Sequence, residues 1–134
     1  MKASLYHVEL HVSDFEKSLK FYSELFKYFG WEKIYEDKWV CGWGGKTFNV
    51  WIARTAKKYQ KQRFHRKRIG LNHLAFRVLA KKEVDTFHKM FLENKHIPIL
   101  YGGPKEYPQY EKGYYAVYFE DPDRVKLEVV YLPK

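Results

Sequence analysis

The sequence predicts an α+β fold made of two copies of one βαβββ module. Residues 7–12 align in register with residues 73–78, and each segment begins with a histidine and alternates polar with apolar side chains. In the same register, Phe21 aligns with Phe87 and Leu25 with Phe91, so each alternating segment is followed by a helix with an apolar face. A single repeat of this length indicates two related supersecondary units and not a long solenoid.

In the first module, residues 5–12 form the first predicted strand. Ser13 or Asp14 caps the helix that follows, and Gly30 ends it. The apolar face of this helix comprises Leu19, Phe21, Tyr22, Leu25 and Phe26. Segments 31–36, 38–43 and 47–53 are predicted as the three remaining strands, because glycines mark the turns around them.

The second module repeats this order, with a strand over 71–78 and a helix over 81–94 whose spaced face comprises Val84, Phe87, His88 and Phe91. A short strand at 97–100, a loop over 102–113, a strand at 114–119, a turn at 121–124 and a strand at 125–131 complete it. The chain is therefore interpreted as a single domain, 1–134, with modules 5–53 and 70–132 joined by a connector, 54–69.

Composition limits the class of protein. A chain of 134 residues with 46% hydrophobic and 19% aromatic residues has the length and side chains for one packed domain. Its single cysteine, Cys41, excludes an internal disulfide. No apolar run reaches membrane-spanning length, and the first residues lack the apolar core of a signal peptide, so a cytoplasmic protein without a membrane partner is expected.

The net charge of +9 is concentrated in the connector. The connector has no acidic residue, and without its eight basic residues the chain carries a net charge of only +1. These eight residues are Arg54, Lys57, Lys58, Lys61, Arg63, Arg66, Lys67 and Arg68. Basic segments bind nucleic acid in some proteins. No recognition motif accompanies this one, so a solvated connector is preferred and a nucleic-acid partner is not expected.

His7, His73 and Glu128 are the candidate metal ligands, each the polar member of an alternating strand. Two imidazoles and a carboxylate on one wall of a sheet are typical of a divalent-metal site. The alternative is three unrelated polar residues on solvent-facing positions. The equivalent placement of both histidines in the repeat favours the metal site.

Strand parity adds candidates on the same faces. Glu9 and His11 share the face of His7, and Arg77 shares that of His73. Glu9 is a candidate general base. The other interpretation is structural, with Glu9 orienting His11 or forming a buried pair with Arg77. Tyr118, just before the final turn, is a candidate substrate contact or a core residue.

Three segments resemble the vicinal oxygen chelate superfamily, the glyoxalase, bleomycin-resistance and extradiol-dioxygenase group. They are the opening 7–14 with the Lys-Phe-Tyr at 20–22, the second opening 70–78, and the ending 119–128. The family commonly turns with Asp-Pro-Asp-Gly just before the strand that carries its metal carboxylate. Here Arg124 replaces that glycine, so we expect a turn that does not need a positive φ.

The resemblance implies a curled mixed sheet around a metal-binding cleft, with one ligand from each of up to four equivalent strands. His7, His73 and Glu128 match three of them. The fourth strand offers Asn49 and Trp51, neither of which is a carboxylate, so these two are predicted to form a substrate wall. The implied cofactor is a divalent ion of Zn, Ni, Mn, Fe or Co.

The resemblance also implies a metal-dependent enzyme that acts on a small substrate with vicinal oxygens, as a lyase, isomerase or thiol transferase. His11, Arg77 and Tyr118 join Asn49 and Trp51 as expected substrate contacts. A homodimer with sites built from both chains is the expected assembly. The alternative function is metal-free sequestration of a small molecule, as in bleomycin-resistance proteins.

Overall fold

A computed structural model of the chain describes residues 1–133, which divide into two compact units. Unit 1 comprises Met1–Arg63, and unit 2 begins at Phe64. The boundary falls inside the predicted connector. No helix of residues 1–133 combines the length and the apolar character needed to span a membrane.

Unit 1 has the predicted order of a strand, a helix and three strands. Its elements are β1 (His7–Val12), α1 (Phe15–Tyr28), β2 (Glu32–Glu36), β3 (Val40–Gly44) and β4 (Asn49–Arg54). The sheet order is β1-β4-β3-β2. β1 runs parallel to β4, and the other pairs are antiparallel, so the sheet is mixed.

Unit 2 repeats this topology. Its elements are β5 (His73–Val78), α2 (Lys81–Phe87), β6 (Ile99–Glu106), β7 (Tyr115–Glu120) and β8 (Lys126–Tyr131). The sheet order is β5-β8-β7-β6, with β5 parallel to β8 and the other pairs antiparallel. The predicted α+β fold of two βαβββ modules is confirmed.

The helix of unit 1 covers one face of its sheet. Asp14, and not Ser13, is the N-cap, because its Oδ1 accepts a hydrogen bond of 3.1 Å from the Lys17 backbone N–H. Tyr22 and Phe26 are fully buried and stack at 5.6 Å, and Trp43 of β3 lies 5.3 Å from the Phe26 ring. This aromatic core leaves the other face of the sheet free for polar side chains.

The second helix is a composite. α2 ends at Phe87 and continues as a π-helical segment, His88–Glu93, so the two together cover all but the last residue of the predicted range of 81–94. Phe87 and Phe91 are buried and stack at 5.2 Å, and the Phe87 ring lies 5.3 Å from that of Phe119 of β7. The wider π turn shifts the helical repeat while both rings still reach the core.

The prediction for residues 97–113 was partly wrong, because β6 extends to Glu106 where a loop was expected. Gly102 and Gly103 have φ values of 84° and 100°, and the pairing with β7 shifts register between Leu100 and Lys105. These glycines therefore form an irregularity inside a strand. The glycine pair predicted a turn, because glycines occur both in turns and at irregularities within strands.

The expectation for the turn before β8 was also wrong. Arg124 has a φ of 67°, a left-handed conformation that glycine adopts without a Cβ penalty. The turn is held by Asp121, whose Oδ1 accepts from the backbone N–H groups of Asp123 and Val125, each at 2.8 Å. These bonds impose the conformation, and the arginine accepts it.

Arg124→Gly is expected to raise the free energy of unfolding by about 1 kcal/mol, because it removes the strain of a left-handed non-glycine residue. The lost ion pair between Arg124 Nε and Glu120 Oε2, 3.4 Å apart, contributes little because the arginine side chain is 74% exposed. Urea denaturation measures the change. Arg124→Ala is the matched control, and equal stability of the two variants would contradict the explanation.

Candidate metal centre

Two of the three predicted ligands meet in unit 2. β5 pairs with β8 so that Glu128 lies beside Ala75, one pleat along the same face from His73. His73 Nε2 and Glu128 Oε2 are 3.0 Å apart. The glutamate side chain is fully buried, whereas the histidine side chain is 34% exposed. The pair therefore joins a buried carboxylate to a partly exposed imidazole.

The two oxygens of Glu128 have different surroundings. Oε1 accepts a hydrogen bond of 2.5 Å from the Tyr114 hydroxyl. Oε2 is buried and makes no hydrogen bond of regular geometry within residues 1–133, although His73 Nε2 is close to it and the Tyr118 hydroxyl interacts with the carboxylate. A buried carboxylate oxygen without a donor is costly, and a cation bound there would compensate it. The donor set of this pair fits a divalent metal ion.

Tyrosines enclose the carboxylate. Tyr118 is the register partner of Glu128 on β7, and its ring lies 6.0 Å from the His73 ring. Burial, followed by the charge of Glu128, raises the pKa of Tyr118 well above its usual range. Burial, followed by the hydrogen bond to Glu128, raises the pKa of Tyr114 to about 12. Both hydroxyls therefore stay protonated at neutral pH and remain hydrogen-bond donors.

Tyr118 also belongs to the core. It is buried with Tyr107, Ala116 and Val130 in one apolar cluster. The Tyr107 hydroxyl is buried and makes no hydrogen bond within residues 1–133, and burial raises its pKa. Tyr118 is therefore a core residue whose ring also lies near His73, and its role as a substrate contact stays a prediction.

Lys126 and Asn72 are two residues near the pair that the sequence reasoning missed. Lys126 is the register partner of His73, and its Nζ lies 5.4 Å from the centre of the Tyr118 ring. Strand parity could have found it, since it shares the face of Glu128. Asn72 Oδ1 lies 2.8 Å from His73 Nδ1. Asn72 precedes the strand, so parity gave no signal for it.

Unit 1 presents the equivalent face with different side chains. His7, Glu9 and His11 are exposed along β1. Asn49 is the register partner of His7, and Trp51 is that of Glu9. In unit 2 the same two register positions hold Lys126 and Glu128. Trp51 therefore stands where the second unit places its carboxylate.

The Trp51 ring lies across β3, over Gly42. A Cβ added to Gly42 would come within 2.5 Å of the ring, so glycine is required for this close approach. The ring centre of Tyr35 is 6.1 Å from that of Trp51. This places the indole on the face of Glu9, opposite the helix layer that contains Trp43.

Two further predicted site residues, Arg77 and Glu9, have exposed side chains. Arg77 is exposed, and its guanidinium donates a hydrogen bond of 3.1 Å to the Leu132 carbonyl. Glu9 is exposed on β1, and its role as a general base or as a partner of His11 or Arg77 stays a prediction. Residues 1–133 contain no cluster of three or more His, Cys, Asp or Glu side chains that could hold a metal. The structure thus brings His73 and Glu128 together, and the assignment of His7, His73 and Glu128 as metal ligands stays a prediction.

The chain belongs to the Glyoxalase/Bleomycin resistance protein/Dioxygenase superfamily, whose family model matches residues 4–129. It is similar to YqjT of Bacillus subtilis (strain 168), a protein described as uncharacterized, with 36% identity over 128 residues that cover 94% of this chain and 97% of YqjT.

Solved structures agree with this assignment. A crystal structure from Bacillus halodurans, described as that of a candidate glyoxalase, has a TM-score of 0.83 and 33% identity, with 96% of this chain and 95% of that one covered. The genomically encoded fosfomycin resistance protein FosX of Listeria monocytogenes has a TM-score of 0.72 and 22% identity, with 99% and 96% covered. The similarity to FosX shows a shared fold alone.

Proposed function

We propose that this protein is a metal-dependent enzyme of the glyoxalase superfamily that acts on a small substrate with two vicinal oxygens. The observation that carries the proposal is the buried Oε2 of Glu128, which makes no hydrogen bond of regular geometry in residues 1–133 and lies 3.0 Å from His73 Nε2. Membership of the superfamily supports it. The reaction class would be that of a lyase, an isomerase or a thiol transferase.

The proposed ligands are His73, Glu128 and His7. His7 is included because it occupies in unit 1 the register position that His73 occupies in unit 2, and its side chain is exposed. We propose that unit 1 of a second copy supplies it, in a homodimer. When bound, a divalent ion (Zn, Ni, Mn, Fe or Co) would stabilise negative charge on the substrate oxygens.

The protein's own residues have distinct roles in the proposal. Tyr114 holds Glu128 by its hydrogen bond to Oε1 and leaves Oε2 available. Lys126 brings a positive charge to the face of the pair, which favours an anionic substrate group. Glu9 is the proposed general base, and Trp51 beside it is the proposed substrate wall, together with Asn49 and His11.

The test is a metal analysis followed by an activity screen. Protein purified without chelator is expected to contain close to one divalent ion per chain, and the metal-loaded protein is expected to turn over at least one substrate with vicinal oxygens. The screen covers glutathione hemithioacetals, epoxides with thiols, and catechols, each with the five metals. Absence of bound metal at saturating concentrations would refute the enzyme proposal.

The flat indole of Trp51 favours a second candidate, metal-free sequestration of an aromatic cation. Trp51 and Tyr35 form an aromatic surface beside the carboxylate of Glu9, and aromatic faces attract cations. The test is titration with a planar aromatic cation such as ethidium in the presence of chelator. Binding that is lost in Trp51→Ala but kept in Trp39→Ala would favour this candidate, since Trp39 is an exposed tryptophan of the same unit.

A further inference from the structure

Asn72 lies between the basic connector and the candidate metal ligand. Its Nδ2 donates a hydrogen bond of 3.1 Å to the backbone carbonyl of Arg66. Its Oδ1 lies 2.8 Å from His73 Nδ1. A carbonyl oxygen only accepts hydrogen bonds, so the contact with Arg66 fixes which end of the amide faces the imidazole.

The orientation of Asn72 determines the tautomer of His73. Because Oδ1 only accepts, His73 Nδ1 must carry the proton in this contact. Glu128 Oε2, 3.0 Å from Nε2, also only accepts, but the Nε2–Oε2 contact lacks hydrogen-bond geometry, so Asn72 Oδ1 is the better placed acceptor for the ring proton and Nε2 keeps its lone pair in the neutral ring. The other tautomer would place an N–H at Nε2, where a small ring rotation would let it donate to Oε2 and close the metal position.

The connector segment is itself fixed. Arg66 Nη1 is 2.8 Å from Glu120 Oε1, and both side chains are largely buried, with 20% and 10% exposure. This pair holds the backbone whose carbonyl orients Asn72. One residue of the basic connector is thus a structural anchor of unit 2, a role that composition alone did not reveal.

We infer that Asn72 is a positioning residue that, held by the Arg66 carbonyl, keeps His73 in the Nδ1–H tautomer and so leaves Nε2 free for a metal ion. The inference rests on the proposed metal site. Residues that accept the second N–H of a metal-bound histidine raise its affinity in metal sites generally. It extends the function of the connector beyond joining the two units.

The first test uses the metal-free protein. Two-bond ¹⁵N–¹H correlation spectra at alkaline pH report imidazole tautomers, and the His73→Gln variant identifies the His73 signals among those of the six histidines. The parent is expected to show Nδ1–H, and Asn72→Ala is expected to shift toward Nε2–H. Asn72→Asp, which retains an acceptor, is expected to keep Nδ1–H. A parent protein with Nε2–H would overturn the inference.

The second test is calorimetric titration of Zn²⁺. Asn72→Ala is expected to weaken binding about 10- to 100-fold, with Asn72→Asp closer to the parent. Asn94→Ala is the matched control, because Asn94 also donates to a backbone carbonyl, that of Met90, away from the pair. Unchanged affinity in Asn72→Ala would overturn the inference. If the parent binds no Zn²⁺, the proposed function fails, and the spectra still decide the tautomer.

Discussion

The Glu128→Gln variant is expected to lose metal affinity by about 100-fold or more, because a neutral amide replaces an anionic ligand. Without metal, the free energy of unfolding of this variant is expected to exceed that of the parent by about 1 kcal/mol. The glutamine carbonyl can accept from Tyr114, and its NH₂ can donate to His73 Nε2, which is 3.0 Å from the oxygen that it replaces. Calorimetric titration and urea denaturation measure the two effects.

Glu93→Gln is the matched control for this variant. Glu93 also lies near a histidine of unit 2, with Oε1 3.6 Å from His88 Nδ1, but its side chain is 57% exposed. Neither metal affinity nor stability is expected to change, since exposed pairs contribute little. If Glu128→Gln bound metal like the parent, or destabilised the metal-free protein, Glu128 Oε2 would not be a ligand position.

Mixing two inactive variants is expected to restore metal binding if the ligands come from two chains. His7→Ala and Glu128→Ala chains each lack one proposed ligand. A mixed dimer would combine the intact His7 of one chain with the intact His73 and Glu128 of the other. Random exchange makes about half of the dimers mixed, and each mixed dimer has one intact site of its two. Metal content should therefore recover to about a quarter of the parental value.

Subunit exchange must be shown independently, for example by energy transfer between labelled chains. A mixture of His7→Ala with His7→Ala,Glu128→Ala chains is the matched control and should recover nothing, because no pairing restores a site. Failure to recover metal after demonstrated exchange, or a protein that is monomeric at all concentrations, would exclude a site shared between chains.

The sequence predicted the module and the shared face of His73 and Glu128 because both depend on local periodicity. Alternation in 73–78 and 126–131 fixed which side chains share a face, and the register of β5 with β8 then brought His73 and Glu128 together. The same parity rule placed Trp51 on the face of Glu9. These features follow from the pleat and require no knowledge of distant contacts.

Periodicity could not reveal the groups that come from loops. Asn72 and Arg66 lie outside the strands, and their contacts depend on the path of the connector. The positive φ of Arg124 was missed because Asp121 imposes it through side-chain hydrogen bonds that residue type alone did not indicate. Gly102 and Gly103 signal a turn or a bulge equally well, and only strand pairing decides between them.

The most direct test of the metal-site assignment is anomalous diffraction from crystals of the protein grown with Zn²⁺, Ni²⁺ or Mn²⁺. We expect an anomalous peak bonded to both His73 Nε2 and Glu128 Oε2, at about 2.0–2.2 Å from each. The same map identifies the third ligand, which is predicted to be His7. A fully occupied metal elsewhere on the chain, with Glu128 Oε2 left uncoordinated, would contradict the account.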